Sequence, residues 1–147
     1  IGSSGMAGGQ SLDLESENKK LDAASVEDIY MLKTGKLLQS SILAPTFFKE
    51  MSDKDFLALK NFSESIGIAF QIQDDLIEAE GDLETIGKSI ESDKSKNKAA
   101  YPLLFGLDAS KDRVESLYQK ASEALQIFGE KSRPLKEMAE IIIYRKF

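Results

Sequence analysis

Gln71, Asp74, Asp75 and Glu78 lie in the run Phe70-Gln71-Ile72-Gln73-Asp74-Asp75-Leu76-Ile77-Glu78, at the end of a long apolar-periodic segment. On a helix of 3.6 residues per turn, Gln71, Asp74, Asp75, Glu78 and Asp82 fall within roughly a 100° arc of one face. Like charges one turn apart, as at Asp74 and Glu78, repel each other. A cation between them removes that repulsion. The chain has neither histidine nor cysteine, so carboxylate oxygens alone are on offer, which favours a hard ion such as Mg²⁺. Mg²⁺ held by one or two carboxylates completes its shell with water and substrate phosphate. The spacing therefore points to a diphosphate-binding helix. Taken alone, the same acids also suit a solvated helix end.

The rest of the composition narrows the chemistry. Without histidine there is no Ser-His-Asp triad and no imidazole metal site. Without cysteine there is no disulfide, thiol nucleophile or cysteine-type zinc site. The formal net charge of -6, with no basic stripe, argues against nucleic acid as a partner. No apolar run approaches a membrane span, so no stable membrane insertion is expected; no signal-peptide pattern opens the chain, and the absence of cysteine is compatible with the cytoplasm. The 147 residues, 41% hydrophobic and 30% charged, suffice for one domain with a core.

Helices must position the acids, because helical periodicity dominates and period-2 alternation is absent. Residues 2–14 read as a small-residue helix end, and 15–24 as a polar loop. Ser25 is the expected N-cap of one helix running to about Leu43, with Ile29, Leu32, Leu37, Leu38 and Ile42 on its apolar side. Pro45 ends or kinks it. The next helix starts at Ser52 or Asp53 and carries Phe56, Leu59, Phe62, Ile66, Ala69 and Phe70 toward Asp74. It is expected to end near Ala79, with Gly81 as its stop. Residues 81–98 read as a surface loop with four lysines, Lys88, Lys94, Lys96 and Lys98. Helices are expected again over about 99–106, 108–128 and 133–146, with Asp108 as a cap. Phe47, Phe48, Phe56, Phe62, Phe70 and Phe105 are assigned mostly to the core.

The ordered blocks resemble a known family. Phe70-Gln71, Asp74-Asp75, Gly81-Asp82, Gly87-Lys88, Asp93, Lys98 and Tyr101-Pro102 follow one another as in the second aspartate-rich region of the trans-polyprenyl diphosphate synthases, the farnesyl and geranylgeranyl diphosphate synthase family. Gly5-Met6-Ala7-Gly8-Gly9-Gln10 with Asp13, and Lys33-Thr34-Gly35, resemble two further blocks. Glu78 stands where the family usually has Asp, which adds one methylene and keeps the charge.

The resemblance implies an all-α fold, the C-terminal part of an isoprenoid-synthase helical bundle. Residues 1–147 would form the C-terminal part of a single polyprenyl synthase domain, with the N-terminal half elsewhere. It implies a prenyltransferase that condenses an allylic diphosphate with isopentenyl diphosphate, with Mg²⁺ held by Asp74, Asp75 and Glu78. Lys33 and Lys88 would contact the allylic diphosphate, Thr34 would lie beside the growing chain, and Lys98 and Arg145 join the expected substrate-binding set. Gln71 would turn its carbonyl toward the reacting carbons, so Lys33, Gln71 and Asp74 form the expected catalytic set. Gln10 and Asp13 are expected to orient Lys33 and Lys88 or to line the cavity. A cytoplasmic homodimer is the implied assembly. Since a second DDxxD is missing, these residues alone are expected to be inactive. The competing readings are a class I terpene cyclase and a non-catalytic subunit of a prenyl synthase.

Overall fold

The computed structural model describes residues 2–16, 19, 21–86 and 100–145, with the backbone alone over 82–86. Among the described residues the regular structure is helical, with α1 at Met6–Glu15, α2 at Ala23–Tyr30, α3 at Lys36–Leu43 and α4 at Asp53–Ile86. Then come α5 at Tyr101–Phe105, α6 at Leu107–Ala124 and α7 at Arg133–Tyr144. The all-α expectation is met.

The long helix α4 is the axis of the fold. Ala58, Phe62, Ile66, Ala69, Ile72 and Leu76 recur every three or four residues and are all buried. Val114, Leu117 and Ala121 form the matching stripe of α6, and Ala139 and Ile143 that of α7. These stripes meet Val26 and Tyr30 of α2 and Tyr101 of α5 in one core. Phe62 is a core residue as expected, whereas Phe47 and Phe48 are 81% and 91% exposed. They sit in the 3₁₀ turn Ala44–Phe48 that follows α3, where Pro45 occupies the first turn.

Several boundaries differ from the sequence expectation. The N-cap of α2 is Asp22, whose carboxylate accepts the Ser25 N–H at 2.8 Å. A carboxylate caps the positive helix end better than a hydroxyl three residues on, and it leaves Ser25 inside the first turn. The expected single helix to Leu43 is divided by a π-helical turn at Met31–Gly35. Gly81 does not stop α4, which continues to Ile86. A helical glycine costs about 1 kcal/mol relative to alanine, which the flanking Ala79, Glu80, Leu83 and Glu84, all good helix formers, can absorb. An ion pair of 2.7 Å from Lys111 to Glu80 also ties this part of α4 to α6.

Near the C-terminal end, Gly106 takes φ 87 and ψ 160, a conformation that suits glycine, and α6 starts directly after it. Asp108 therefore lies in the first turn of α6 and is not its cap. That helix ends at Ala124, earlier than the periodicity suggests. The following 3₁₀ segment Leu125–Ser132 is broken at Gly129, where φ is 53.

Candidate functional site

The π-helical turn carries Lys33 and Thr34 and is pressed between two helices. A Cβ placed on Gly9 of α1 would stand 2.4 Å from the Lys33 backbone nitrogen. A Cβ on Gly67 of α4 would stand 2.8 Å from the Gly35 Cα. Only glycine permits such approach, so Gly9 and Gly67 let α1 and α4 close on the turn from both sides. The π turn adds a residue to the helical circuit, a feature that recurs at functional sites.

Both expected residues on this turn meet partners across helix boundaries. The Lys33 ammonium donates to the Asp13 carboxylate of α1 at 2.6 Å. The Thr34 hydroxyl donates to the Gln71 carbonyl oxygen of α4 at 2.8 Å. Gln71 in turn directs its amide N–H₂ to Asp75, one turn further along α4, at 3.5 Å. The other Asp75 oxygen accepts a short hydrogen bond from the Tyr30 hydroxyl of α2. That hydroxyl accepts the Tyr101 backbone N–H at 2.9 Å. Burial, and then the negative charge of Asp75, push the Tyr30 pKa far above its ordinary value. Tyr30 therefore stays protonated and acts as the donor.

The three expected metal acids occupy three different environments. Asp75 is 4% exposed, beneath Tyr30. Asp74 is 41% exposed at its side chain and forms an ion pair with Arg145, just past α7. The same guanidinium lies over Phe70, 4.4 Å from the ring centroid, an arrangement that adds cation–π attraction. Glu78 is exposed. Among the described residues no three carboxylates converge as a ready-made cation cluster. Adjacent helical residues diverge by 100°, so a common arc on a helical wheel still sends Asp75 inward and Asp74 outward.

Of the other expected contacts, Gln10 is exposed, while Asp13 holds Lys33 as expected. Lys88 and Lys98 lie outside the described residues. Sequence reading missed Tyr30, whose signal was a hydroxyl-bearing aromatic one helical turn before Thr34 on an otherwise apolar face. An open cavity of about 720 Å³ lies elsewhere, lined by Gln73, Leu76, Ile77, Lys111, Tyr144 and Arg145 among others, and not by Lys33, Thr34 or Gln71.

A sequence profile of the polyprenyl synthetases matches residues 3–133, which include Asp13, Lys33, Thr34, Gln71 and all three acids. The chain belongs to the polyprenyl synthetase family. The chain is 44% identical over 128 residues to the farnesyl diphosphate synthase of Buchnera aphidicola (subsp. Schizaphis graminum), covering 86% of this chain and 42% of that protein. Among solved structures, the FPP/GFPP synthase of Zymomonas mobilis superposes with a TM-score of 0.80 at 31% identity, over 96% of this chain and 46% of that one. The geranyltransferase of Helicobacter pylori, solved with magnesium and isoprenyl diphosphate, shares the fold, with a TM-score of 0.73 at 24% identity over 97% of this chain and 48% of that one. This polyprenyl synthetase chain thus spans about half the length of the relatives it matches.

Proposed function

We propose that the full-length protein carrying this chain is a polyprenyl diphosphate synthase that joins an allylic diphosphate to isopentenyl diphosphate. The observation that supports this most is the meeting of the Lys33–Asp13 and Thr34–Gln71 pairs at one π turn, beside the acid-bearing end of α4. The relatives named farnesyl diphosphate synthase favour this reading over a terpene cyclase or a non-catalytic subunit.

The residues present fit a divalent cation. Asp74 and Glu78 lie one turn apart, both reach solvent, and both offer hard oxygen donors. They would hold Mg²⁺, with Asp75 behind them as the third acid of the set. When bound, Mg²⁺ supplies Lewis-acid neutralisation of the leaving diphosphate.

The chain's own groups do the rest. Lys33 has donors beyond the one given to Asp13, and these bind a phosphate oxygen of the allylic substrate. The allylic C–O bond breaks and the diphosphate leaves with the electron pair. The Gln71 carbonyl oxygen and the Thr34 hydroxyl oxygen face the resulting cation and stabilise it electrostatically. The double bond of isopentenyl diphosphate attacks the cation to form the new carbon–carbon bond, and the resulting cation gives a proton to the departed diphosphate or a nearby base, which restores an alkene. Lys88, Lys98 and Arg145 complete the anion-binding set. We extend the reading to a cytoplasmic homodimer, as the family resemblance implies, and to inactivity of residues 1–147 on their own.

The test is incubation of the full-length protein with labelled isopentenyl diphosphate and an allylic diphosphate, with Mg²⁺ and with a chelator. Expected is a longer allylic diphosphate that forms only with the metal. Release of diphosphate from the allylic substrate without incorporation of label would overturn the synthase reading.

A further inference from the structure

Gln71 is held at both ends of its amide. The two ends of such an amide are nearly isosteric, so something must decide which faces which way. Thr34 cannot, because a hydroxyl both donates and accepts. Asp75 can: an ionised carboxylate only accepts, so the Gln71 atom facing it must be the NH₂. The carbonyl oxygen is then left to Thr34, at 2.8 Å. Asp75 is itself held by the Tyr30 hydroxyl, and that hydroxyl takes its second bond from the Tyr101 backbone N–H at 2.9 Å. Tyr30 is 3% exposed and Asp75 4%, so neither bond is shared freely with water. Phenol oxygens of tyrosine offer one donor and accept readily, and both capacities are used here.

We propose that Tyr30 is a positioning residue for the chemical step. It fixes the Asp75 carboxylate, which fixes the sense of the Gln71 amide, which presents its oxygen at the reacting site. Through the Tyr101 N–H the same hydroxyl ties the start of α5 to α2 and α4, so the orientation of Gln71 depends on the placement of Tyr101 as well. The inference rests on the prenyl-transfer reading of Gln71 given above.

The closing experiment uses the full-length protein, a double-mutant cycle of Tyr30→Phe with Gln71→Ala, and a probe of the Gln71 amide that needs no turnover. Tyr30→Phe keeps the ring in the core and removes only the hydroxyl. It should lower kcat by about tenfold to a hundredfold, the usual effect of removing a group that orients a site residue, with KM for both diphosphates unchanged. The double variant should fall no further than Gln71→Ala alone, because both changes remove the same presentation of the amide. Additive losses, or an unchanged kcat in Tyr30→Phe, would overturn the proposal while leaving the synthase reading intact.

The amide probe separates the two readings. With glutamine amides isotopically labelled, the Gln71 resonance, identified by its loss in Gln71→Glu, should exchange slowly with solvent and do so faster in Tyr30→Phe. Faster exchange in a protein that does not transfer prenyl groups would uphold the lock and refute the activity. Equal exchange would refute the lock. If Tyr30→Phe does not fold, Asp75→Asn serves: its single oxygen still accepts from Tyr30, and its NH₂ faces Gln71. That variant is read by amide exchange alone, because Asp75 also belongs to the acids that would hold the metal: faster exchange upholds the lock and equal exchange refutes it.

Discussion

Asp74 and Asp75 are neighbours in the chain, yet the 100° between them puts one carboxylate in the core and leaves the other at the surface. Asp75 is 4% exposed and bonded to Tyr30, whereas the Asp74 side chain is 41% exposed and paired with Arg145. Their substitutions should therefore fail in different ways. In the full-length protein, Asp74→Ala should lower kcat by about a hundredfold or more while the melting temperature barely moves. Asp75→Ala should also destabilise the fold by about 1–3 kcal/mol, because the buried Tyr30 hydroxyl loses its acceptor. Denaturant titration beside steady-state kinetics checks both. Equal stability losses for the two variants would contradict the burial difference.

Gly81 separates two views of α4. It lies inside the helix, is exposed, and has open space where a Cβ would go. Gly81→Ala should therefore stabilise the protein by about 0.5–1 kcal/mol. Were Gly81 a left-handed stop, the same change would destabilise it. The midpoint of chemical unfolding gives the sign directly.

Gly9 and Gly67 are opposite cases. A Cβ at either would meet backbone within 3 Å, at Lys33 or at Gly35. Gly9→Ala and Gly67→Ala should each cost about 1–3 kcal/mol as the π turn is pushed away. Because Lys33 and Thr34 ride on that turn, kcat/KM should fall as well. A loss of stability with kcat/KM unchanged would show that the turn is packed there for the fold alone.

Tyr144 predicts an alkaline transition. Its hydroxyl donates to Glu115 at 2.9 Å, and its ring meets Tyr118 edge-on with centroids 5.5 Å apart. Burial first, and then the hydrogen bond to Glu115, raise its pKa from 10.0 to about 12. The folded value exceeds the unfolded one, so the contribution is fully present below pH 10 and is lost as pH rises toward 12. Stability of the α6–α7 contact should decline over that window in wild type and much less in Tyr144→Phe. Tyrosinate absorbance followed with circular dichroism checks it.

The lock on Lys33 is open to a charge test. Asp13→Asn keeps the shape and removes the charge that holds the ammonium at 2.6 Å. KM for the allylic diphosphate should change severalfold, because the free ammonium no longer has a fixed direction from which to meet a phosphate. An unchanged KM and kcat would remove Lys33–Asp13 from the site.

Much of this arrangement was legible in the residues themselves. The apolar stripe from Phe62 through Ile66, Ala69 and Ile72 to Leu76 predicted a long buried helix, since a 3.6-residue period on a soluble chain must face a core. The acids at Asp74, Asp75 and Glu78 predicted hard-cation chemistry, because side-chain identity alone sets donor hardness. Lys33 and Gln71 of the proposed site stand out through ordered blocks spaced along the chain.

What lay beyond reach was decided by contacts between segments far apart in sequence. Asp75 and Asp74 look alike in a sequence, and only the approach of Tyr30, 45 residues earlier, buries one of them. The π turn has no local signature in the residues, and the close approach of α1 and α4 to it at Gly9 and Gly67 is visible only in the fold. Helix α4 passes Gly81 because the cost of a glycine is small beside the packing and ion pairing of the helix around it. Local residue types determined which groups are present and which helices form. The tertiary fold decided which groups face one another, because the Thr34–Gln71 and Tyr30–Asp75 hydrogen bonds exist only once α2, the π turn and α4 have met.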